Sequence, residues 1–168
     1  MQRITVETKI AAPPERCFLL SLSIDLHTRS TAQTHERAIA GVTHGLIGLG
    51  ETVTWRGRHF GVMLTQTTRI SEYERPAHFQ DVMVEGVFRR FDHDHFFTEL
   101  GGNQTLMRDE LIFAAPLGPL GWMAEVLVLR AYLKRFLEQR NDVIRRVAES
   151  PNGEWERYLE SGRDRGGT

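Results

Sequence analysis

Apolar Ile4, Val6 and Ile10, in line with Thr8, alternate with polar Arg3, Thr5, Glu7 and Lys9 at the start of the chain. A period of two turns one side of an extended chain to a core and the other to solvent, which predicts a half-buried β-strand. The alternation stops at AAPPERCFLLSL, where Pro13-Pro14 open a short helix at positions whose missing amide donors cost nothing. From Glu36 to about Ile112, short runs of Val, Thr, Ile and Phe punctuated by glycine predict antiparallel strands. ETVTWRGRHFGVML predicts a hairpin turning at Gly57-Arg58 with Trp55 across from Phe60, and HFQDVMVEGVFRRFDHDHFFTEL a second strand pair turning near Gly86. After Pro116 the period changes: Trp122, Val126, Leu129, Leu133, Phe136, Leu137, Ile144 and Val147 recur at helical spacing. They predict one amphipathic helix of roughly 40 Å at about 1.5 Å per residue, opened by Pro119 and ended before Pro151. Only a sheet can cover its apolar face. The predicted class is therefore α+β: a curved antiparallel sheet wrapped around a long C-terminal helix, short helices after the first strand, and a cleft between sheet and helix.

Composition narrows the partners. The 168 residues fit one domain, placed at 1–150, with a polar tail at 151–168 whose EWERYLE makes a helical turn. Lys and Arg number 21 against 22 Asp and Glu, so there is no electrostatic footprint for a nucleic acid. The single cysteine, Cys17, has apolar neighbours Phe18, Leu19 and Leu20, which makes it a buried structural thiol and fits a reducing compartment. The N-terminus lacks the apolar core of a signal peptide, and the longest uncharged run, Leu111 to Ala124, is too short and too interrupted by Pro and Gly to span a membrane. A cytoplasmic location is expected. Gly45, Gly48 and Gly50 precede a strand and no Lys-Ser/Thr pair follows, so they read as tight turns rather than a phosphate loop.

The candidate chemistry sits in FRRFDHDHFFTEL. Alternation sends Asp92, Asp94 and Phe96 one way and aligns Phe91, His93, His95 and Phe97 on the other face. The next strand, TLMRDELIF, offers Thr105, Met107, Asp109, Leu111 and Phe113 on one face. A short loop centred on Gly102 sets Phe97 opposite Met107, His95 opposite Asp109, His93 opposite Leu111 and Phe91 opposite Phe113. A glycine bulge would instead bring Asp109 nearer His93. Three readings compete: a metal site from His93, His95, Asp109 and His59; an acid/base pair with His95 and Asp109, or His93, as candidate catalytic residues; or a His–Asp pair that braces the sheet and gives polar anchors to an apolar pocket. The pattern favours the third, with no metal and no cofactor expected. Trp122, Met123 and Val126 would wall the cleft, and Trp55 with His59 would gate it. Arg140 interrupts the apolar stripe and pairs there with a ligand carboxylate or a core-edge acid.

IAAPPERCF, VTWRGRHFG, FDHDHFF and DELIFAAPLGPLG, before a long helix ending in RNDVIRRVAE, resemble the SRPBCC (START-like) superfamily over residues 3 to 149, in particular a bacterial ligand-binding, cyclase/dehydrase-like branch. The order of segments carries the likeness. It implies a helix-grip fold with an apolar cavity, and by position it places the family's aromatic-His-His-aromatic strand on Phe91, His93, His95 and Phe97 and its following aspartate on Asp109. The iron ligands of the ring-hydroxylating members have no counterpart. The expected function is binding of a hydrophobic small molecule of lipid, polyketide or aromatic type by Trp55, His59, Phe91, His93, His95, Phe97, Met107, Asp109, Phe113, Trp122, Met123 and Val126. The alternatives are a polyketide cyclase/aromatase-like or hydrolytic enzyme and a protein-interaction module.

Overall fold

The computed structural model describes residues 1–115 and 128–159. Its strands are β1 (Gln2–Ile10), β2 (Arg37–Gly41), β3 (Thr52–His59), β4 (Val62–Glu74), β5 (His78–Glu85), β6 (Arg90–Gly101) and β7 (Gln104–Ala114). They form one curved antiparallel sheet in the order β1-β7-β6-β5-β4-β3-β2. Each strand from β2 onward pairs with its successor, and β1 closes against β7 with Ile4 opposite Leu111 and Val6 opposite Asp109. Two short helices follow β1: α1 (Pro14–Leu22), with proline at its first position, and α2 (Ile24–Ser30), whose first turn is capped by the Ser23 hydroxyl accepting from the Leu26 amide. The last helix, α3 (Arg130–Ala148), rests on β1 and against α1 and α2.

The core has two apolar clusters. One lies under α1 and α2, where buried Phe18 meets Tyr73, Phe79 and Phe97 edge-on at centroid distances of 5.1, 5.5 and 5.5 Å. The other joins Ile4, Val6, Leu111 and Phe113 of the sheet to Leu133 and Leu137 of α3. A polar row separates them on β6, β7 and α3. Along β7 the buried order is Met107, Asp109, Leu111; along β6 it is Phe97, His95, His93; and along α3 it is Leu137, Arg140, Asn141, Ile144. The polar interruptions of separate amphipathic segments thus meet at one level of the fold.

The β6–β7 register is the predicted one: Phe97 opposite Met107, His95 opposite Asp109, His93 opposite Leu111 and Phe91 opposite Phe113. The register shift lies between Glu99 and Gly101, beside the turn through Gly102 and Asn103, and does not reach Asp109. The β3–β4 hairpin corrects its expectation. Its turn is Phe60-Gly61, both with positive φ (51° and 79°), and Trp55 pairs with Gln66 rather than facing Phe60. Gly57 sits within β3 for a different reason: an added Cβ would come 2.4 Å from Glu36 Cγ.

Helix α3 is described from Arg130, and at 19 residues it is about 28 Å long; its predicted start near Pro119 lies outside the described residues. The expected turn in EWERYLE is a 3-10 turn, Glu154–Tyr158, which places Tyr158 in the core; residues 160–168 lie outside the described set. Cys17 is buried, and that burial pushes its thiol up to about 11. Among the described residues no helix is long and apolar enough to cross a membrane.

Candidate functional site

A cavity of about 380 Å³ lies between the sheet and α3. Apolar side chains from β3 to β7, including Val53, Ile70, Phe79 and Leu111, line it from the sheet, and Leu133, Phe136 and Leu137 line it from the helix. Of the residues named from the sequence, Trp55, His59, Phe91, His93 and His95 face it. Four others lie behind its wall. Phe97 and Met107 are sealed under α1, where the Ser21 hydroxyl donates to Met107 Sδ at 3.7 Å, because that helix covers their end of the sheet. Phe113 packs on Phe88 in the second cluster, and Asp109, fully buried, stands behind the two histidines. Trp122, Met123 and Val126 lie outside the described residues.

The polar row forms the first candidate group. His93 donates its Nε2–H to Asp109 Oδ1 at 3.0 Å, and His95 donates its Nε2–H to Asp81 Oδ2 at 3.0 Å. Both alternatives for Asp109 hold at once, since its Oδ1 also lies 2.8 Å from His95 Nδ1. That contact is off the direction a ring N–H needs, and His95 Nδ1 has no hydrogen-bond partner among the described residues. From α3, Asn141 Nδ2 donates to Asp109 Oδ2 at 2.6 Å, and Arg140 Nη1 lies 3.6 Å from Oδ1. Arg140, expected to meet either a ligand carboxylate or a core acid, meets the acid. The His95 ring stacks on Phe79 at 4.2 Å and lies 3.9 Å from the His93 ring.

These contacts set the charges. Burial opposes ionisation of Asp109, but the His93 hydrogen bond and the close approach and charge of His95 outweigh it and hold its carboxyl well below the usual range. Asp81 is lowered in the same way: burial opposes, and the His95 hydrogen bond and the nearby histidines prevail. Burial also opposes charge on His95, yet Asp109 and Asp81, each within 3.0 Å of a ring nitrogen, raise it. His93 is lowered, first by burial and then by the charge of His95. The row therefore sets two carboxylates against His95, whose charged form they favour, and the Arg140 guanidinium, while burial and the charge of His95 favour the neutral form of His93. With its proton on Nε2, its Nδ1 is a bare acceptor 3.8 Å from Asp81 Oδ2.

A second polar group lies at the β3–β4 hairpin end. Glu36 accepts from His27 Nε2 at 2.9 Å and His59 Nε2 at 3.0 Å. Burial opposes its charge, but these two hydrogen bonds dominate and hold its carboxyl down at about 2. The Tyr132 hydroxyl of α3 is 2.7 Å from His59 Nδ1, and Trp55 stacks on His27 at 4.1 Å. Trp55 and His59 thus belong to a bridge from sheet to helix.

Asp81, Glu36, His27 and Tyr132 were missed from the sequence. Alternation in HFQDVM does put Asp81 on the face of Phe79, a signal available to the same period-two argument. No local signal marks Glu36, which needs β2, α2 and the hairpin in place. Asp81, His93 and His95 each bring one ligand atom within 4.8 Å of the others, a spacing open to a divalent cation. The set differs from the one weighed from the sequence: Asp109 is behind the rings, and His59 is engaged with Glu36.

No protein-family profile matches the chain, and no curated protein matches its sequence. Solved structures do match. A START superfamily protein from Mycobacterium smegmatis aligns with a TM-score of 0.67 at 12% identity, over 88% of this chain and 97% of that one. The Zhui aromatase/cyclase from Streptomyces sp. R1128 aligns with a TM-score of 0.64 at 14% identity, over 89% and 98%. The ginseng major latex-like protein 151 from Panax ginseng aligns with a TM-score of 0.58 at 13% identity, over 95% and 98%.

Proposed function

The chain has the START-like, helix-grip fold, and on that premise we propose that it binds a hydrophobic small molecule of lipid, polyketide or aromatic type between its sheet and α3. The observation that carries this reading is a cavity of about 380 Å³ with mostly apolar walls and two localised polar groups. That is the make-up of a small-molecule site: apolar area for affinity, and a few placed hydrogen-bonding groups for orientation. The lone buried thiol of Cys17 is consistent with action in the cytoplasm. The test is native mass spectrometry of the purified protein, followed by thermal shift against panels of lipids and aromatic compounds. A co-purifying ligand or a stabilising class is expected; no bound mass and no stabilising compound in either panel would sink the reading.

A second reading, an enzyme of cyclase/aromatase-like or hydrolytic type, draws support from one observation. His93 turns a bare Nδ1 to the cavity while its Nε2–H is held by Asp109, the arrangement a general base requires. The base in this reading is His93, with Asp109 positioning it, rather than His95, both of whose ring nitrogens lie within 3.0 Å of a carboxylate oxygen. A His93→Gln variant that turned over an identified substrate at the wild-type rate would exclude it.

A further inference from the structure

The polar row also constrains which hydrophobic molecules fit, an argument that rests on the binding reading above. We infer that the cavity selects a ligand whose polar end is an uncharged hydroxyl, phenolic or aliphatic, donated to Asp81 or His93, and that it discriminates against a carboxylate on the same skeleton.

The geometry supplies the reason. Asp81 Oδ2 and His93 Nδ1 both line the cavity, and they stand 3.8 Å apart. That is too long for a hydrogen bond, and neither atom has a proton to offer the other. A donor placed between them has a partner on either side. A hydroxyl there gives its one O–H to one of the two, and its own oxygen stays on the cavity side.

A carboxylate meets the opposite situation. Arg140 is the one lysine or arginine lining the cavity among the described residues. Its guanidinium is already turned to Asp109 at 3.6 Å, the Asn141 side-chain Oδ1 at 3.4 Å and the Ser21 backbone carbonyl at 3.3 Å. Among the described residues the carboxylates lining the cavity, Asp81 and Glu36, would repel an added negative charge. A negative charge placed there in an apolar cavity is uncompensated, and burial without compensation is the costly case. A hydrogen bond to a charged acceptor typically contributes about 1.5–3 kcal/mol, so the hydroxyl is expected to add about tenfold to a hundredfold in affinity.

The experiment uses the full chain and one skeleton at a time. Naphthalene, 2-naphthol and 2-naphthoate form one series, and tetradecane, tetradecanol and tetradecanoate a second, chosen to cover ring and chain ligands. Affinities are read by Trp fluorescence titration and checked by thermal shift. In at least one series the hydroxyl member should bind at least tenfold more tightly than the other two. The Asp81→Asn variant, which replaces an acceptor oxygen with an amide donor, should erase that margin over the carboxylate. Carboxylate binding equal to or tighter than hydroxyl binding overturns the inference, and leaves the binding reading standing. Failure of every member of both series to bind overturns both. Stabilisation by Zn²⁺ that is lost in His93→Gln also overturns the inference, since it assigns the same acceptors to a cation. The wild-type ratios decide the matter if Asp81→Asn does not fold.

Discussion

Replacing Asp109 with Asn tests the charge balance of the buried row most directly. The side chain keeps its shape but loses its charge. Asp109 is 0% exposed and carries contacts at 3.0 Å to His93, 2.8 Å to His95, 2.6 Å to Asn141 and 3.6 Å to Arg140. Removing it takes one negative charge from the row and turns an amide NH₂ toward groups that are themselves donors. Breaking a buried ion pair by deleting one partner typically costs about 3–5 kcal/mol. The row has one route of relief: His95 can release its proton. That route opens as pH rises, so the cost should be near its full value at about pH 5.5 and smaller at about pH 8.5. Urea unfolding at the two pH values measures it. With a slope of about 2–3 kcal/mol/M, the midpoint at the lower pH should fall by about 1–2.5 M with the slope unchanged. Adding Arg140→Met removes one of the stranded positive charges, so the double variant should lose less than the sum of the singles by about 1 kcal/mol or more. A cost under about 1 kcal/mol, or one equal at both pH values, would refute the view that these four groups are charged and mutually compensating.

Three further expectations follow from named contacts. Wild-type stability should peak near about pH 6.5. The raised His95 contributes fully below the unfolded histidine value and loses its contribution as pH rises through its folded one. The lowered His93 works against the fold as pH falls below the unfolded value, and the lowered Asp81 and Asp109 lose their contribution as pH drops further, through their folded values. Each proton adds at most about 1.4 kcal/mol per pH unit to the slope; His95→Gln should flatten the alkaline limb in urea titrations, and an unchanged limb would contradict the assignment. Phe18→Ala should cost about 3–5 kcal/mol, because it empties the centre of the Tyr73, Phe79 and Phe97 cluster; at about 2–4 °C per kcal/mol, calorimetry should show a fall in Tm of about 6–20 °C. Gly57→Ala should cost about 1–3 kcal/mol, since its Cβ would force Glu36 off His27 and His59; Gly61→Ala, where an added Cβ meets no atom within 4 Å, provides the control for backbone strain alone.

The legible parts of this protein are those set by short-range periodicity. Alternation in FRRFDHDHFFTEL and TLMRDELIF, with a Gly-Asn turn between them, determines which side chains share a face and which pairs stand opposite, so the row Phe91, His93, His95, Phe97 and its partners read correctly. The α3 stripe, interrupted at Arg140, was visible for the same reason, as was the single buried thiol. The β3–β4 turn misread because a glycine has two uses. Gly57 is needed for the space beside Glu36, while the turn takes Phe60-Gly61, and a local pattern does not distinguish room from backbone freedom.

The site itself depends on contacts across the chain. Asp109 serves both histidines because the β6–β7 register and the docking of α3 bring Arg140 and Asn141 down onto it. Asp81 reaches His95 only through β5–β6 pairing, and Glu36 joins His27, His59 and Tyr132 from four separate segments. Whether a buried histidine is charged follows from which carboxylates stand within about 3 Å of it, and that distance is a property of the packed sheet and helix rather than of any stretch of the chain.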